Sequence, residues 1–188
     1  MEIKLAVPDA AEGRRLLRRA GFHVSKRRVF EANVLLDTAR GTLARAGRLL
    51  RVRDAGGKGK LTYKGPDAAG KYKDREELEV AVSDAHKLTE MLALLGFIPG
   101  LRYEKYRTEY RRTGEAGQAT LDETPVGVYL ELEGAPQWID RNARRLGYKE
   151  SAYITESYFG IYAENCRKPG LRVSHMTFAA TAKPSAKP

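Results

Sequence analysis

Residues 75–82 alternate charged and apolar side chains through most of the sequence Arg-Glu-Glu-Leu-Glu-Val-Ala-Val. In a β-strand, successive side chains point to opposite faces of the sheet. Arg75, Glu77 and Glu79 would therefore share one face, and the apolar residues between them the other. The same alternation recurs from the first residues to Glu133, with acids or bases paired at positions i and i+2. A polar face with so many charges of both signs favours a shared interior over a solvent-exposed surface.

Eight segments of the chain are predicted to be extended, and turns rich in glycine or proline separate several of them. They are residues 1–7, 22–37, 49–53, 61–64, 75–82, 102–112, 119–122 and 126–133. Two pairs of these segments read as hairpins, one around residues 54–59 and one around Thr124-Pro125. Short turns join antiparallel neighbours, so the expected sheet is antiparallel.

Three segments show helical spacing instead. The first follows Asp9, the second follows Ser83 and the third begins at Pro136, and a short helical turn is expected at residues 41–46. The apolar stripe of the second helix consists of Leu88, Met91, Leu92 and Leu95. Each stripe needs an apolar surface to cover, so helices outside the sheet would leave the charged faces pointing inward. The predicted fold is α+β, a closed antiparallel β-barrel of roughly eight strands with helices packed outside, wide enough for one small ligand.

The charged faces define a candidate site. Its acids are Glu2, Glu77, Glu79, Asp122, Glu131 and Glu133, and its bases are Lys4, Arg51, Arg53, Lys64, Arg75, Lys105 and Arg107. For any single strand the alternative is a solvated face whose ion pairs contribute under about 1 kcal/mol each. Burying this many charges without a ligand would be costly. A polyphosphate with a divalent metal matches both signs, because arginine forks bind phosphate and carboxylates are preferred ligands of Mg²⁺ or Mn²⁺.

Composition narrows the class of protein but does not choose a ligand. The 188 residues suit one domain with a tail, and we expect a domain at 1–164 and a basic, disordered tail at 165–188. Lys and Arg number 34 against 24 for Asp and Glu, an excess that attracts polyanions in general. One cysteine and three scattered histidines exclude a disulfide framework and argue against a zinc site. No apolar run suits a membrane span or a signal peptide, so we expect a cytoplasmic protein.

Seven short motifs between Met1 and Gly134 resemble those of a known family in the right order. They are Glu2-Ile3-Lys4, Leu50-Arg51-Val52-Arg53, Leu61-Thr62-Tyr63-Lys64-Gly65-Pro66, Arg75-Glu76-Glu77-Leu78-Glu79, Lys105-Tyr106-Arg107, Leu121-Asp122-Glu123 and Tyr129-Leu130-Glu131-Leu132-Glu133-Gly134. Ser157-Tyr158 is similar to the family's C-terminal pair, and the match extends to about Tyr162. The family is the CYTH family, or triphosphate tunnel metalloenzymes. The amino-acid sequences of the motifs around Lys64 and Arg75 most resemble those of the class IV adenylate cyclase branch.

The resemblance implies an eight-stranded tunnel that holds a triphosphate along its axis. Glu2, Glu131 and Glu133, with Lys4, would form the catalytic and metal-binding group, assisted by Asp122. The implied phosphate-binding residues are Lys4, Arg51, Arg53, Lys64, Arg75, Lys105 and Arg107. Glu77 and Glu79 would hold a second metal or orient the bases. The implied cofactor is Mg²⁺ or Mn²⁺.

One position departs from the family pattern, Glu-x-Glu-x-Lys, because its first Glu would fall before Met1. We expect the true start to lie upstream; otherwise the protein has lost a ligand. The implied reaction is conversion of ATP to cyclic AMP and pyrophosphate. The alternatives are hydrolysis of inorganic tripolyphosphate or thiamine triphosphate, and a non-catalytic module that binds polyphosphate or nucleic acid.

The implied partner is a nucleoside, organic or inorganic triphosphate. We expect no membrane and no nucleic-acid partner, and a homodimer is left open. Among the aromatic residues, Tyr103, Tyr106 and Tyr110 are expected to pack outside the barrel, although one of them could touch an adenine. Trp138 and Ile139 are expected in the core.

Overall fold

A computed structural model describes residues 1–68, 70–167 and 173–181. Its strands are β1 (Glu2–Val7), β2 (His23–Thr38), β3 (Leu49–Ala55), β4 (Gly59–Lys64), β5 (Glu77–Val82), β6 (Phe97–Arg111), β7 (Gln118–Thr124) and β8 (Gly127–Glu133). Its helices are α1 (Ala10–Arg19), α2 (Thr42–Arg45), α3 (Ala85–Leu94), α4 (Pro136–Arg145), α5 (Tyr158–Arg167) and α6 (Phe178–Thr181), with a 3-10 turn at Glu150–Ala152. No helix in the described ranges is both long and apolar enough to span a membrane.

All eight strands form one antiparallel sheet in the order β1-β8-β7-β6-β2-β3-β4-β5. The predicted eight-stranded antiparallel sheet is therefore confirmed. The predicted closure is not, because no ladder joins the edge strands β1 and β5. Within the described ranges, the two edges meet at a short bridge, in which Glu2 and Lys73 exchange backbone hydrogen bonds of 2.9 and 3.0 Å. Lys73 precedes β5, so the loop before this strand, rather than the strand itself, reaches β1.

Helices α1 and α4 cover the outer face of β1, β7 and β8. Their shared core contains the fully buried side chains of Ile3, Leu5, Leu17, Leu121, Leu130, Leu132 and Ile139. Gly13 in α1 allows this close approach, because a Cβ there would lie 2.6 Å from a methyl group of Leu121. Trp138 and Ile139 of α4 lie in the same core, as expected. Alternate residues of β1 thus face the helices, which turns Glu2 and Lys4 to the opposite side of the sheet.

The outer face near α3 is covered much less. The helix forms where its spacing predicts it; Ser83 is the N-cap expected from the sequence, but the side chain that caps the helix is that of Asp84, which accepts from the N–H of Lys87. Its expected stripe is only partly covered: Leu88 and Leu92 are half-buried, whereas Met91 and Leu95 are 60% and 73% exposed. Leu78 and Val80 of β5 are also 60% exposed. The physical reason is that α3 crosses β3, β4 and β6 rather than β5, and a cleft of about 740 Å³ lies between the helix and the sheet.

Part of the predicted disordered tail makes ordered contacts. Helix α5 continues through Arg167, across the expected boundary at 164. Met176 is fully buried and its backbone pairs with β6. The structure therefore differs from the expectation at 173–181. Residues 168–172 and 182–188 of the predicted tail lie outside the described part of the chain.

Candidate active site

The inner face of the sheet lines one cavity of about 290 Å³. Every strand contributes to it, including both edge strands, so the sheet curls around a common interior. Nine basic and six acidic side chains line this cavity: Lys4, Arg51, Arg53, Lys60, Lys64, Lys73, Arg75, Lys105 and Arg107, with Glu2, Glu77, Glu79, Glu109, Glu131 and Glu133. All the sequence-predicted site residues except Asp122 are among them. The inward direction expected for Glu77 and Glu79 is thus found.

Asp122 lies beneath the lining and is fully buried. Lys105 donates to its Oδ2 at 2.8 Å, and Arg107 donates to both carboxylate oxygens at 2.7 and 2.5 Å. The hydroxyl of Tyr158 also donates to Oδ2, at 2.9 Å. Burial opposes the charge of Asp122, but Arg107 and Lys105 hold its pKa below the ordinary value. These contacts make Asp122 an anchor for two bases rather than an open metal ligand.

Arg107 connects this anchor to the acids of β8. It also pairs with Glu131, whose pKa lies well below the ordinary value because Arg107 and Lys105 outweigh the effect of burial. On the other side of Glu131, Lys4 Nζ lies 3.6 Å from its Oε1 and 3.3 Å from Oε1 of Glu2. Burial works against the charge of Lys4, but Glu131 and Glu2 raise its pKa. Lys4 is therefore held as a cation between two carboxylates.

Glu133 differs from the other acids because its side chain makes no hydrogen bond or ion pair with the residues described. It lies opposite Glu2 in the pairing of β1 with β8. Burial raises its pKa, and the nearby charges of Glu2 and Glu131 raise it further. A cation near Glu133 would stabilise its charged form. No group of three His, Cys, Asp or Glu within the described ranges forms a metal cage by itself.

The acids of β5 are already neutralised by neighbouring bases. Lys64 donates to Glu77 at 2.5 Å, and Arg75 donates to the same oxygen at 3.3 Å. Glu79 accepts from Lys60 at 2.7 Å and from Thr62 at 3.0 Å. Both carboxylates have lowered pKa values although burial acts in the opposite direction. Of the two roles predicted for Glu77 and Glu79, this geometry favours orienting the bases.

Arg53 of β3 and Lys64 of β4 have lowered pKa values although each has an acidic partner. Arg53 donates to Oδ1 of Asn33 and to Oε1 of Glu31, each at 3.1 Å. Burial lowers the Arg53 pKa, and the adjacent Arg51 lowers it further. Burial and Arg51 likewise lower the pKa of Lys64. A polyanion in the cavity would relieve this repulsion.

Several residues of the site were missed from the sequence: Glu31, Asn33, Thr62, Lys73, Tyr103 and Tyr158. The expectation that Tyr103 packs outside is wrong, since its side chain lines the cavity. Its position, two residues before Lys105, already placed it on the inward face by the period of a strand. Glu31 and Asn33 alternate with the apolar residues Ala32 and Val34, so the same period also places their side chains on the inward face. Thr62 accepts from Arg51 at 3.0 Å, a contact that only the fold reveals.

A model of the CYTH domain family matches residues 1–158. The chain belongs to this family. A curated relative from Methanocaldococcus jannaschii, named "Putative adenylate cyclase", is 32% identical over 136 residues, which are 71% of this chain and 75% of the relative.

Solved structures share the fold. A protein from Vibrio parahaemolyticus, described by the same words, is 20% identical with a TM-score of 0.72, over 87% of this chain and 97% of that one. A Hippeastrum protein, named "Putative adenylyl cyclase" and described as having a dominant triphosphatase activity, is 21% identical with a TM-score of 0.64, over 92% and 96% of the two chains. At these identities the likeness establishes the CYTH fold of the chain.

Proposed function

We propose that this CYTH protein binds a nucleoside triphosphate in the cavity and converts ATP to cyclic AMP and pyrophosphate. The charge of the cavity lining supports this function most directly. Nine bases line it against six acids, with Asp122 and Glu31 paired to lining bases from beneath, and Arg53 and Lys64 have lowered pKa values. A triphosphate supplies the negative charge that such a lining lacks. The curated relative with 32% identity carries a cyclase name, which supports the first choice of reaction.

The phosphate-binding side chains would be Lys4, Arg51, Arg53, Lys64, Arg75, Lys105 and Arg107, all of which line the cavity. Asp122 fixes Lys105 and Arg107, while Glu77 fixes Lys64 and Arg75. Bases held in this way need little reorganisation when charge develops on phosphate oxygens, which is the main electrostatic contribution to phosphoryl and nucleotidyl transfer. The ribose 3′-hydroxyl would attack the α-phosphorus as the bond from that phosphorus to the pyrophosphate oxygen breaks. The hydroxyl proton would pass to solvent, and the same bases would neutralise the departing pyrophosphate.

Glu2, Glu131 and Glu133 would hold the divalent cation in this proposal, with substrate oxygens completing its coordination. Glu133 has no basic partner among the described residues, and its pKa is raised by burial and by the other two acids. Mg²⁺ is usually held by one or two carboxylates together with substrate phosphates, so a complete protein cage is not required. When bound, Mg²⁺ or Mn²⁺ would polarise phosphate oxygens and neutralise their charge.

A triphosphatase is the second candidate, and the size of the cavity favours it. Its volume of about 290 Å³ lies at the low end of ligand pockets. Among the lining residues only Leu35, Leu49 and Phe159 are wholly apolar. An interior of this size and polarity suits a triphosphate group whether or not a nucleoside is attached. Hydrolysis of inorganic tripolyphosphate or thiamine triphosphate would use the same bases.

Product analysis separates these functions. The purified protein would be incubated with ATP, tripolyphosphate or thiamine triphosphate, each with Mg²⁺, with Mn²⁺ and with a chelator. Cyclic AMP and pyrophosphate from ATP support the cyclase, whereas orthophosphate without cyclic AMP supports the triphosphatase and contradicts the cyclase. Triphosphate binding that ignores metal, without turnover, would support a non-catalytic module. Arg141→Gln on the outer surface of α4 is a control for charge removal away from the cavity.

A further inference from the structure

Tyr103 is an uncharged side chain in the most basic part of the cavity. It lies on β6 opposite Asn33 of β2, and two residues before Lys105 on the same face. Arg51 Nη1 donates to its hydroxyl oxygen at 3.1 Å. The charges of Arg51, Arg53 and Lys105 lower the Tyr103 pKa although burial acts in the opposite direction. The phenol oxygen therefore faces cations on several sides.

This arrangement leaves the hydroxyl hydrogen of Tyr103 available. A phenol can accept and donate at the same time. Its oxygen accepts from Arg51, and no carboxylate or carbonyl in the described part of the chain accepts its hydrogen. Neighbouring cations attract the oxygen lone pairs and turn the hydrogen away from themselves. The remaining direction is the cavity, where an anionic oxygen would be the matching acceptor.

The backbone around Tyr103 is held by the C-terminal segment. Pairing of β6 with β7 stops at Tyr106, so the edge of β6 before that residue needs another partner. Met176 supplies it: its N–H donates to the carbonyl of Arg102 at 2.9 Å, and its carbonyl accepts from the N–H of Glu104 at 3.0 Å. Met176 is fully buried. Tyr103 thus stands on a strand that is hydrogen-bonded at both edges, as a preformed contact requires.

We propose that Tyr103 is a further substrate-binding residue, which donates its hydroxyl hydrogen to a phosphoryl oxygen of the bound triphosphate while it accepts from Arg51. The inference rests on the proposed function, since it assigns the ligand of the same cavity. Tyr103 would thus add a neutral hydrogen-bond donor to the charged residues of the site. A further cation at this position would repel Arg51 and Arg53, whereas a hydroxyl group does not.

The test compares Tyr103→Phe with the wild-type protein in calorimetric binding of tripolyphosphate and of ATP, with Mg²⁺ and with a chelator. A hydrogen bond to a charged group is worth enough to predict roughly tenfold weaker binding of both compounds. Tyr106→Phe is the matched control, because the Tyr106 ring packs outside against Phe30 and Phe178. Its binding should equal that of the wild type. Thermal unfolding of each variant checks that the fold is retained.

A second pair of variants separates direct donation from an effect on Arg51. If Tyr103 only orients Arg51, Tyr103→Phe should cost nothing further in an Arg51→Gln background. Direct donation predicts that most of the tenfold loss persists there. Equal affinities of Tyr103→Phe and wild type, or a loss that vanishes in the Arg51→Gln background, would overturn the inference and leave the proposed function intact. A wild-type protein that binds neither compound would overturn both.

Discussion

The two sides of the cavity are built differently. The packed wall, formed by β1, β7 and β8, is covered outside by α1 and α4 over a fully buried core. The open wall, formed by β3, β4 and β5, leaves apolar residues of β5 more than half exposed outside. The inner acids follow the same division: Asp122 is fully buried, whereas the side chains of Glu77 and Glu79 are 36% and 37% exposed. Asp122 is held by three donors in front of the packed core, whereas Glu133 of the same wall has no side-chain partner among the described residues.

This difference assigns different tasks to the two walls. Buried pairs such as Arg107 with Asp122 depend strongly on geometry, because removing one partner leaves an uncompensated charge. Pairs in a partly exposed wall are screened by solvent and contribute little. We therefore expect the packed wall to determine stability and metal binding, and the open wall to adjust the bases that meet the ligand.

The largest expected effect comes from the anchor of the packed wall. Asp122→Ala leaves Lys105 and Arg107 without their buried partner and should lower the free energy of unfolding by about 3–5 kcal/mol. Glu79→Ala, the matched change in the open wall, should cost well under about 1 kcal/mol. Urea unfolding followed by circular dichroism measures both. Equal losses for the two variants would contradict the division into walls.

Core truncation tests the outer layers in the same way. Leu130 is fully buried beneath the helices of the packed wall, so Leu130→Ala should cost about 2–5 kcal/mol. Leu94 of α3 is 89% exposed, and Leu94→Ala should change stability by less than about 0.5 kcal/mol. The same unfolding measurement applies. A large loss for Leu94→Ala would mean that another surface covers α3 in solution.

Metal dependence should also separate the walls. Losing even an outer partner of a metal ligand costs roughly 10–100-fold in affinity, so Glu133→Gln should raise the Mg²⁺ concentration for half-maximal turnover by at least about tenfold. Glu79→Gln should leave that concentration nearly unchanged, because Lys60 and Thr62 already occupy its carboxylate. Metal titrations of turnover with ATP or tripolyphosphate provide the measurement. The reverse ranking would assign the metal to the open wall.

Much of this architecture follows from the period of two along each strand. That period predicts the inward direction of Arg51, Arg53, Lys105 and Arg107 without knowledge of which strands are neighbours. The same period places Tyr103, two residues before Lys105, on the inward face, which contradicts the expectation that it packs outside.

Other features depend on distances between segments that are remote in sequence. Asp122 of β7 is buried under three donors from β6 and α5, and Glu133 of β8 has no side-chain partner among the described residues; both arise only when these elements are brought together. The absence of a ladder between β1 and β5 also depends on a contact between remote segments, because residue 73 in the loop before β5 pairs with β1. The exposure of the α3 stripe depends on where the helix crosses the sheet. Amphipathic spacing in the sequence does not predict that position.

The smallest predicted effect concerns a latch that joins the loop before β5 to the packed wall. Asp140 of α4 accepts hydrogen bonds from Lys71, Tyr72 and Tyr153, each at 2.9 Å. Burial, together with the hydrogen bond to Asp140, raises the pKa of Tyr153 from 10.0 to about 12. The folded state therefore favours the neutral phenol, and this stabilisation is fully present below pH 10 and is lost as the pH rises to 12.

Tyr153→Phe should accordingly lower stability by about 1 kcal/mol at pH 8, after allowance for partial solvent exposure. The difference from wild type should shrink between pH 10 and pH 11, because the wild-type phenol begins to ionise in the unfolded chain. Tyr63→Phe, an outward position of β4 without a hydroxyl hydrogen bond to the described residues, is the control. Urea unfolding at several pH values tests the sign. A deficit that stays constant up to pH 11 would show that the Tyr153 hydroxyl is not held by Asp140, and that the edges of the sheet are joined by the Glu2–Lys73 bridge without help from this latch.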